Sequence, residues 1–280
     1  MKKLDAMYIV GFTDADGSIC IVKTRYSYAL SVSIVNTDLG VLKEIQKVMG
    51  EGNFKHRRRI GNHVQAFSLE FSHNQAKRFL ERVGPYFIIK KRQALLALEF
   101  QSSKSAGRSN ISKTTQEDYR NRINSFNHKG KHEYSNKFDT YFENVSQPSL
   151  AYVAGFTDGE GCVCIEHYKN YYKLVANITN SDFGVLKSIQ SIVGGCLYEM
   201  ASACSRYLPI FVLAFSPNKA KEFLVQVLPF LVVKRKQALL AVEFQSKRQK
   251  GRSALSRDES ESYKSRISSL NKWRVANDTL

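Results

Sequence analysis

MYIVGFTDADG, residues 7–17, occurs a second time as AYVAGFTDGEG at residues 151–161, which lie 144 positions later. Six of the eleven paired positions are identical. Each copy is an apolar run that contains a glycine and ends in two carboxylates and a further glycine. The spacing predicts a helix over residues 4–15, with Gly17 ending it in the left-handed conformation. A pair of matched helices is therefore expected at the centre of the molecule.

The same offset of 144, held without a gap, extends the match over much of the chain. Residues 36–43 match 180–187 and residues 72–80 match 216–224, while residues 85–101 and 229–245 share ten identities in seventeen positions. Two long units at one period indicate a duplication with pseudo-twofold symmetry rather than a solenoid. We predict a first repeat over 1–126, a linker over 127–148 and a second repeat over 149–280.

Within a repeat, helical and alternating periodicities follow one another. In residues 30–36, Leu30, Val32 and Ile34 alternate with serines, which is typical of a half-buried strand. The order helix-strand-strand-helix-strand-strand-helix-helix, followed by a polar helix at about residues 116–126, predicts an α/β (α+β) fold. Each repeat is expected to form a four-stranded antiparallel sheet with helices on one face, which leaves the other face for a ligand.

The charge balance favours a polyanionic partner. The chain has 42 basic and 25 acidic residues, a net charge of +17, and the surplus occurs in both halves: 24 against 14 in residues 1–144, and 18 against 11 in residues 145–280. A long nucleic acid lying across both halves explains this distribution better than a basic tail, and the alternative is a soluble protein that is merely basic. Five cysteines without a Cys-x-x-Cys pair favour reduced thiols and an intracellular protein. Neither a secretion signal nor a membrane span is expected.

The repeated helices are expected to pack side by side through small residues four positions apart, namely Gly11, Ala15, Gly155 and Gly159. Their C-terminal ends would then bring together Asp14, Asp16, Asp158 and Glu160. Carboxylates at this end of a helix meet the negative end of its dipole and also repel one another. A divalent cation such as Mg²⁺ would relieve both effects and would suit phosphodiester hydrolysis. For Asp14 and Asp158, a purely structural capping role is equally compatible with the pattern.

The motifs at residues 11–17 (GFTDADG) and 155–161 (GFTDGEG) resemble the two signatures of a single-chain LAGLIDADG homing endonuclease. The resemblance covers nearly the whole chain and departs from the family pattern at Ile9 and Val10 and in the acidic residue Glu160. It implies a saddle of two sheets across the major groove of double-stranded DNA. It also implies a monomer that makes a staggered double-strand break with 3′ overhangs, in a chloroplast or mitochondrion.

The resemblance implies a role for six residues, four at the motif ends and one lysine further along each repeat. Asp16 and Glu160 would bind Mg²⁺ or another divalent cation such as Mn²⁺, assisted by the backbone carbonyls of Ala15 and Gly159. Lys90 and Lys234 would occupy a basic pocket near the scissile phosphate, although both also fit a role as phosphate anchors or solvated charges.

Alternate side chains on the strands are expected to face DNA. The set comprises Val22, Thr24, Tyr26, Tyr28, Ser31, Ser33, Lys55, Arg57, Arg58 and Arg59 in the first repeat, and Glu166, Tyr168, Asn170, Tyr172 and Asn177 in the second. The gap-free alignment sets residues 55–59 (KHRRR) opposite residues 199–203 (EMASA), so the two half-sites are expected to differ.

Two other functions remain compatible with the sequence: an intron RNA maturase, and a DNA-binding regulator on the same scaffold that has lost cleavage. The acidic residue at both motif ends favours the nuclease over the regulator.

Overall fold

The structure is a computed structural model, and it describes residues 6–25, 27–57, 65–105, 111–127, 148–200, 209–248 and 255–272. Three of the predicted DNA-facing residues, Tyr26, Arg58 and Arg59, lie outside these ranges, as do residues 128–147 of the predicted linker. Within the described ranges, no helix is both long enough and apolar enough to cross a membrane.

The two halves have the same order of elements. The first contains α1 (Ala6–Asp16), β1 (Gly17–Lys23), β2 (Tyr28–Asn36), α2 (Leu39–Met49), β3 (Asn53–His56), β4 (Phe67–Ser72), α3 (Asn74–Val83), α4 (Lys91–Ser105) and α5 (Lys113–Asn127). The second contains α6 (Leu150–Glu160), β5 (Gly161–Tyr168), β6 (Tyr171–Asn180), α7 (Phe183–Val193), β7 (Cys196–Met200), β8 (Ile210–Phe215), α8 (Pro217–Val227), α9 (Arg235–Arg248) and α10 (Arg257–Lys272).

Each half forms one four-stranded antiparallel sheet, in the order β1-β2-β4-β3 and β5-β6-β8-β7. One face of each sheet packs under the helices. Alternate residues such as Leu30, Val32 and Ile34 point to this face and are fully buried. The opposite face, which we call the open face, carries the residues between them. The predicted fold is confirmed.

The motif glycines end their helices for a steric reason rather than by a left-handed turn. Neither Gly17 nor Gly161 has a positive φ, so the expected left-handed ending is wrong. A Cβ at Gly17 would lie 2.5 Å from the Thr13 carbonyl oxygen, and one at Gly161 would lie 2.6 Å from that of Thr157. The strand leaves each helix so abruptly that only a residue without a side chain fits.

The gap-free offset of 144 fails at the third strand of each sheet. Glu70 pairs with Asn53, whereas its counterpart Ala214 pairs with Cys196, only 143 positions beyond Asn53. Lys55 therefore corresponds to Tyr198 and Arg57 to Met200, not to Glu199 and residue 201. The shift arises in the connection before this strand, which has three residues (50–52) in the first repeat and two (194–195) in the second.

The two motif helices meet in direct backbone contact. A Cβ on Gly11 would lie 2.1 Å from the carbonyl oxygen of Tyr152, and one on Gly155 would lie 2.1 Å from that of Tyr8. Nearer the C-termini, a Cβ on Gly159 would lie 2.4 Å from the Cβ of Ala15. The structure thus places all four predicted interface residues where the helices touch.

We expect Gly11→Ala to lower the free energy of unfolding by about 1–3 kcal/mol, the range for an overpacked interior, because the added methyl would push α1 away from α6. Calorimetry measures the effect as a lower Tm. Gly84→Ala is the matched control, because its Cβ would make an ordinary contact of 3.5 Å with Ala94 at a helical φ of −55°. Equal Tm values for the two variants would contradict the close approach.

Candidate active site

The two motif helices end side by side, at Asp16 and Glu160. The Asp16 carboxyl carbon would lie 3.4 Å from a Cβ on Gly159, the residue immediately before Glu160. Asp16 and Glu160 are both half-buried, whereas the acids two positions earlier are buried. One partly accessible carboxylate from each repeat therefore lies at the junction of the halves.

An asparagine at the end of the second strand of each sheet holds the accessible carboxylate. Asn36 Nδ2 donates to Asp16 Oδ2 at 2.7 Å, and Asn180 Nδ2 donates to Glu160 Oε1 at 2.9 Å. Each asparagine is oriented in turn, because its Oδ1 accepts from the backbone N–H of Asp38 or Asp182. The sequence reasoning assigned these asparagines no role, although their recurrence at the 144-residue offset was a usable signal.

The other acid of each motif has a structural role. Asp14 is 2% exposed, and its carboxylate accepts from the backbone N–H groups of Ile88, Ile89 and Lys90 at 2.9–3.2 Å. Asp158 accepts from residues 232–234 in the same way at 2.8–2.9 Å. Of the two roles left open by the sequence, the contacts favour capping of the segment that precedes α4 or α9.

A tyrosine from the opposite helix completes each cap. Tyr152 Oη donates to Asp14 Oδ2 at 2.8 Å, and Tyr8 Oη donates to Asp158 Oδ2 at 2.7 Å. Burial raises the pKa of both tyrosines well above the usual value, and the adjacent carboxylates add to the rise, so the hydroxyls remain protonated donors. Both tyrosines recur in the two motifs, although no role was predicted for them from the sequence.

Burial also raises the pKa of Asp14, although Lys90 and the hydrogen bonds to Ile88, Lys90 and Tyr152 oppose the rise.

The paired lysines reach the ends of the motif helices. Lys90 Nζ donates to the carbonyl oxygen of Asp14, and Lys234 Nζ donates to that of Asp158. A cation near the last carbonyls of a helix offsets the negative end of its dipole. Both ammonium groups therefore lie within the last turn before Asp16 or Glu160.

The donor set at this junction fits a cation that is shared with a substrate. The described residues contain no group of three or more His, Cys, Asp or Glu side chains that could hold a metal ion alone. Two carboxylates at adjacent helix ends instead suit Mg²⁺, which binds through one or two carboxylates and takes further oxygens from phosphate and water.

Two family models match the chain, one in each half. The LAGLIDADG-like domain matches residues 3–84, and the LAGLIDADG endonuclease matches residues 153–238. Together they cover more than half of the sequence and include both copies of the motif.

The chain belongs to the LAGLIDADG family.

Solved structures of LAGLIDADG endonucleases have the same fold over almost their whole length. I-SmaMI bound to an uncleaved DNA target in the presence of calcium ions has a TM-score of 0.68 and 18% identity, and the alignment covers 96% of this chain and 99% of that one. I-GzeII in complex with its DNA target has a TM-score of 0.67 and 18% identity, and the alignment covers 95% of this chain and 97% of that one. I-AabMI bound to uncleaved DNA has a TM-score of 0.66 and 14% identity, with 96% of this chain and 98% of that one covered. No curated protein sequence matches the chain significantly.

Most of the described residues predicted to face DNA in this LAGLIDADG protein lie on the open face or at its hairpin turns. In the first repeat, a hollow of about 410 Å³ is lined by Val22, Thr24, Ser31, Ser33, Lys55 and Arg57, among others. In the second, Glu166, Tyr168 and Asn177 lie on the open face, and Asn170 lies in the exposed turn between β5 and β6.

Two of the predicted DNA-facing residues point the other way. Tyr28 and Tyr172 are 5% and 7% exposed, and their hydroxyls donate to Glu117 on α5 and Glu261 on α10, the latter at 2.6 Å. The prediction that they face DNA is wrong. The pairing places Tyr28 opposite Lys23 and Tyr172 opposite His167. Directly paired residues share a face of the sheet, so the two tyrosines lie on the face of the odd-numbered residues of β1 and β5, not on that of the even-numbered ones.

Two thiols on the second open face differ in acidity. A hydrogen bond with Cys164 lowers the pKa of Cys162 to about 7, while the pKa of Cys164 is raised by the same hydrogen bond. Cys20, the counterpart of Cys164 in the first repeat, has its pKa raised by burial and then by Glu70. Cys162 is therefore the most readily ionised of the three.

We expect Tyr152→Phe to lower the free energy of unfolding by about 1.5–3 kcal/mol, the range for a hydrogen bond to a charged group, because Asp14 loses a buried donor. Denaturant titration measures the change. Tyr171→Phe is the control, because that ring is 47% exposed. A loss no larger than that of the control would show that Tyr152 does not support the cap.

We expect iodoacetamide to alkylate Cys162 at a rate that rises with pH through about 7, because the thiolate is the nucleophile. Mass mapping of the labelled peptides measures the rate at each cysteine. In Cys164→Ala the midpoint should move upward, because the hydrogen bond that lowers the pKa is gone. Cys20 is an internal comparison that should react only at higher pH, and identical profiles for Cys20 and Cys162 would contradict the assignment.

Proposed function

We propose that this protein is a site-specific DNA endonuclease that makes a staggered double-strand break with 3′ overhangs at a long asymmetric site, by metal-dependent hydrolysis of phosphodiester bonds. The family supports the nuclease class, and the relatives bound to DNA support the substrate. The observation that carries the proposal is the pair of carboxylates, Asp16 and Glu160, at adjacent ends of symmetry-related helices.

In this proposal, Asp16 and Glu160 hold Mg²⁺ or another divalent cation such as Mn²⁺, with the carbonyls of Ala15 and Gly159 as further oxygen ligands. Divalent cations supply phosphodiester hydrolysis with activation of water and charge neutralisation at the leaving oxygen. The chain's own contribution is orientation, because Asn36 and Asn180 fix the two carboxylates. The calcium ions reported with uncleaved DNA in the I-SmaMI complex are in keeping with a cation requirement.

Lys90 and Lys234 are proposed to stabilise negative charge at the scissile phosphates. Each ammonium group donates to the helix carbonyl two residues before the proposed metal-binding carboxylate, and each lysine is held by a loop that Asp14 or Asp158 caps. An ammonium already positioned at this point would need no reorganisation as charge develops during the reaction.

Two equivalent sites related by a pseudo-twofold axis correspond to the two antiparallel strands of a duplex. We therefore propose one cut on each strand by a monomer, because the second repeat supplies the symmetry partner. The repeat boundaries at 1–126, 127–148 and 149–280, and a location in a chloroplast or mitochondrion, stay predictions.

The test begins with a pool of linear duplexes that contain randomised sites, incubated with the protein and Mg²⁺. We expect one family of sites to be cut, and EDTA to abolish cutting. On that target, Asp16→Asn and Glu160→Gln should each lower the cleavage rate by about a hundredfold or more, because each removes a charge that acts on the transition state. Binding measured in Ca²⁺ should change far less.

Asp118→Asn is the matched control, because this carboxylate lies on α5 and is 63% exposed. Equal cleavage by all three variants would remove Asp16 and Glu160 from the mechanism. Duplex binding without cutting by the unmodified protein would instead identify a DNA-binding regulator. Binding of RNA alone would identify a maturase.

A further inference from the structure

The open faces of the two sheets differ in charge along β3 and β4 of the first sheet and β7 and β8 of the second. On β3 and β4, the side chains of Asn53, Lys55, Ser68 and Glu70 share the open face, because Asn53 pairs with Glu70 and Lys55 with Ser68. Arg57 continues this row, and its backbone N–H donates to the carbonyl of Ala66 at 2.9 Å. We call this surface the basic ribbon.

The corresponding surface of the second sheet has no charged side chain among the described residues of β7 and β8 that form it. Three direct cross-strand pairs form it: Cys196 with Ala214, Tyr198 with Val212, and Met200 with Ile210. We call these six residues the apolar ribbon. In the observed register, Tyr198 replaces Lys55 and Met200 replaces Arg57, while Val212 replaces Ser68 and Ala214 replaces Glu70.

The two large side chains that β7 contributes to the apolar ribbon are not part of the core. Tyr198 is 49% exposed and Met200 is 45% exposed, although the helix-facing side of the same strand pair buries Leu213 completely. Large apolar side chains that remain exposed together mark a contact surface. The chain carries a net charge of +17, so the partner that complements the whole molecule is a polyanion rather than an apolar protein.

The chemistry of the bases then indicates what each ribbon can recognise. A two-stranded ribbon fits the major groove, where amides, hydroxyls and guanidinium groups read the hydrogen-bonding edges of the bases. Apart from the hydroxyl of Tyr198, the side chains of the apolar ribbon carry no group that forms strong hydrogen bonds with those edges. The apolar feature that the major groove does offer them is the 5-methyl group of thymine.

We propose that the apolar ribbon recognises thymine methyl groups, so that the half-site bound by the second repeat is thymine-rich where the ribbon lies, whereas the basic ribbon reads its half-site by hydrogen bonds. The inference rests on the proposed function, because it names the bases that the same DNA surface selects. Tyr198 and Met200 are the residues that determine this specificity.

The experiment replaces thymine by deoxyuridine in the target recovered from the randomised pool. Deoxyuridine removes the methyl group and leaves every hydrogen-bonding atom of the base in place. Substitution in the half-site of the second repeat should weaken binding, measured in Ca²⁺, by about fourfold for each methyl in contact with the ribbon. Substitution in the other half-site should have an effect smaller than twofold, which is about the precision of such a measurement.

Variants of the two ribbons show which half-site each repeat binds and whether the deoxyuridine penalty depends on the apolar ribbon. In Met200→Ala and in Tyr198→Ala, the penalty for deoxyuridine should shrink in one half-site only, and selection from the randomised pool should lose its preference for thymine there. Arg57→Ala is the matched variant in the basic ribbon. It should leave the deoxyuridine penalty unchanged and relax the preference in the opposite half-site.

The outcomes separate this inference from the proposed function. A protein that cuts a defined site, but with equal deoxyuridine penalties in both halves or with none, keeps the nuclease assignment and overturns the inference. A protein that binds no duplex at all overturns both. Self-association that Tyr198→Ser abolishes, with no deoxyuridine effect, would show that the ribbon binds a second copy of the chain and would also overturn the inference.

Discussion

The contact between the backbones of α1 and α6 is the constraint on which the rest of the structure depends. Gly11 and Gly155 have no Cβ, so each lets the carbonyl of a tyrosine on the facing helix approach to a distance at which any side chain would collide. Only at this separation can Tyr8 and Tyr152 reach the buried carboxylates of the opposite repeat. The helix contact therefore also determines the hydrogen bonds between the repeats and the junction where the C-terminal ends of the two helices meet.

Helix geometry divides the two acids of each motif between two tasks. Residues two positions apart on a helix of 3.6 residues per turn point in nearly opposite directions. Asp14 thus turns into the protein, where it caps the segment before α4, while Asp16 turns toward the junction, where Asn36 holds it. The buried acid positions Lys90 and the accessible acid is available to a cation, so both proposed parts of the site depend on one turn of helix.

Duplication kept the interior of the two repeats alike and let their open faces diverge. The contacts of Asp14, Asn36 and Tyr28 all recur at an offset of 144 residues, because each satisfies a buried or partly buried polar group that the fold cannot leave unpaired. On the open face, Lys55 and Arg57 correspond to Tyr198 and Met200 without any change in strand pairing. Such a protein can change what it reads while its scaffold stays the same.

The sequence by itself determined the duplication, the order of elements, the antiparallel sheets and the accessible acid of each motif, because these follow from periodicity and from residues that recur in both repeats. Tertiary structure decided the rest. Tyr28 and Tyr172 turned inward, since hydrogen bonds between strands, and not the spacing along the chain, set which face a side chain occupies. A connection one residue shorter before β7 than before β3 changed which residues of the two strands correspond. The partners of Asp14 and Tyr8 likewise come from segments distant in sequence, and only the packing of the two helices brings those groups within reach.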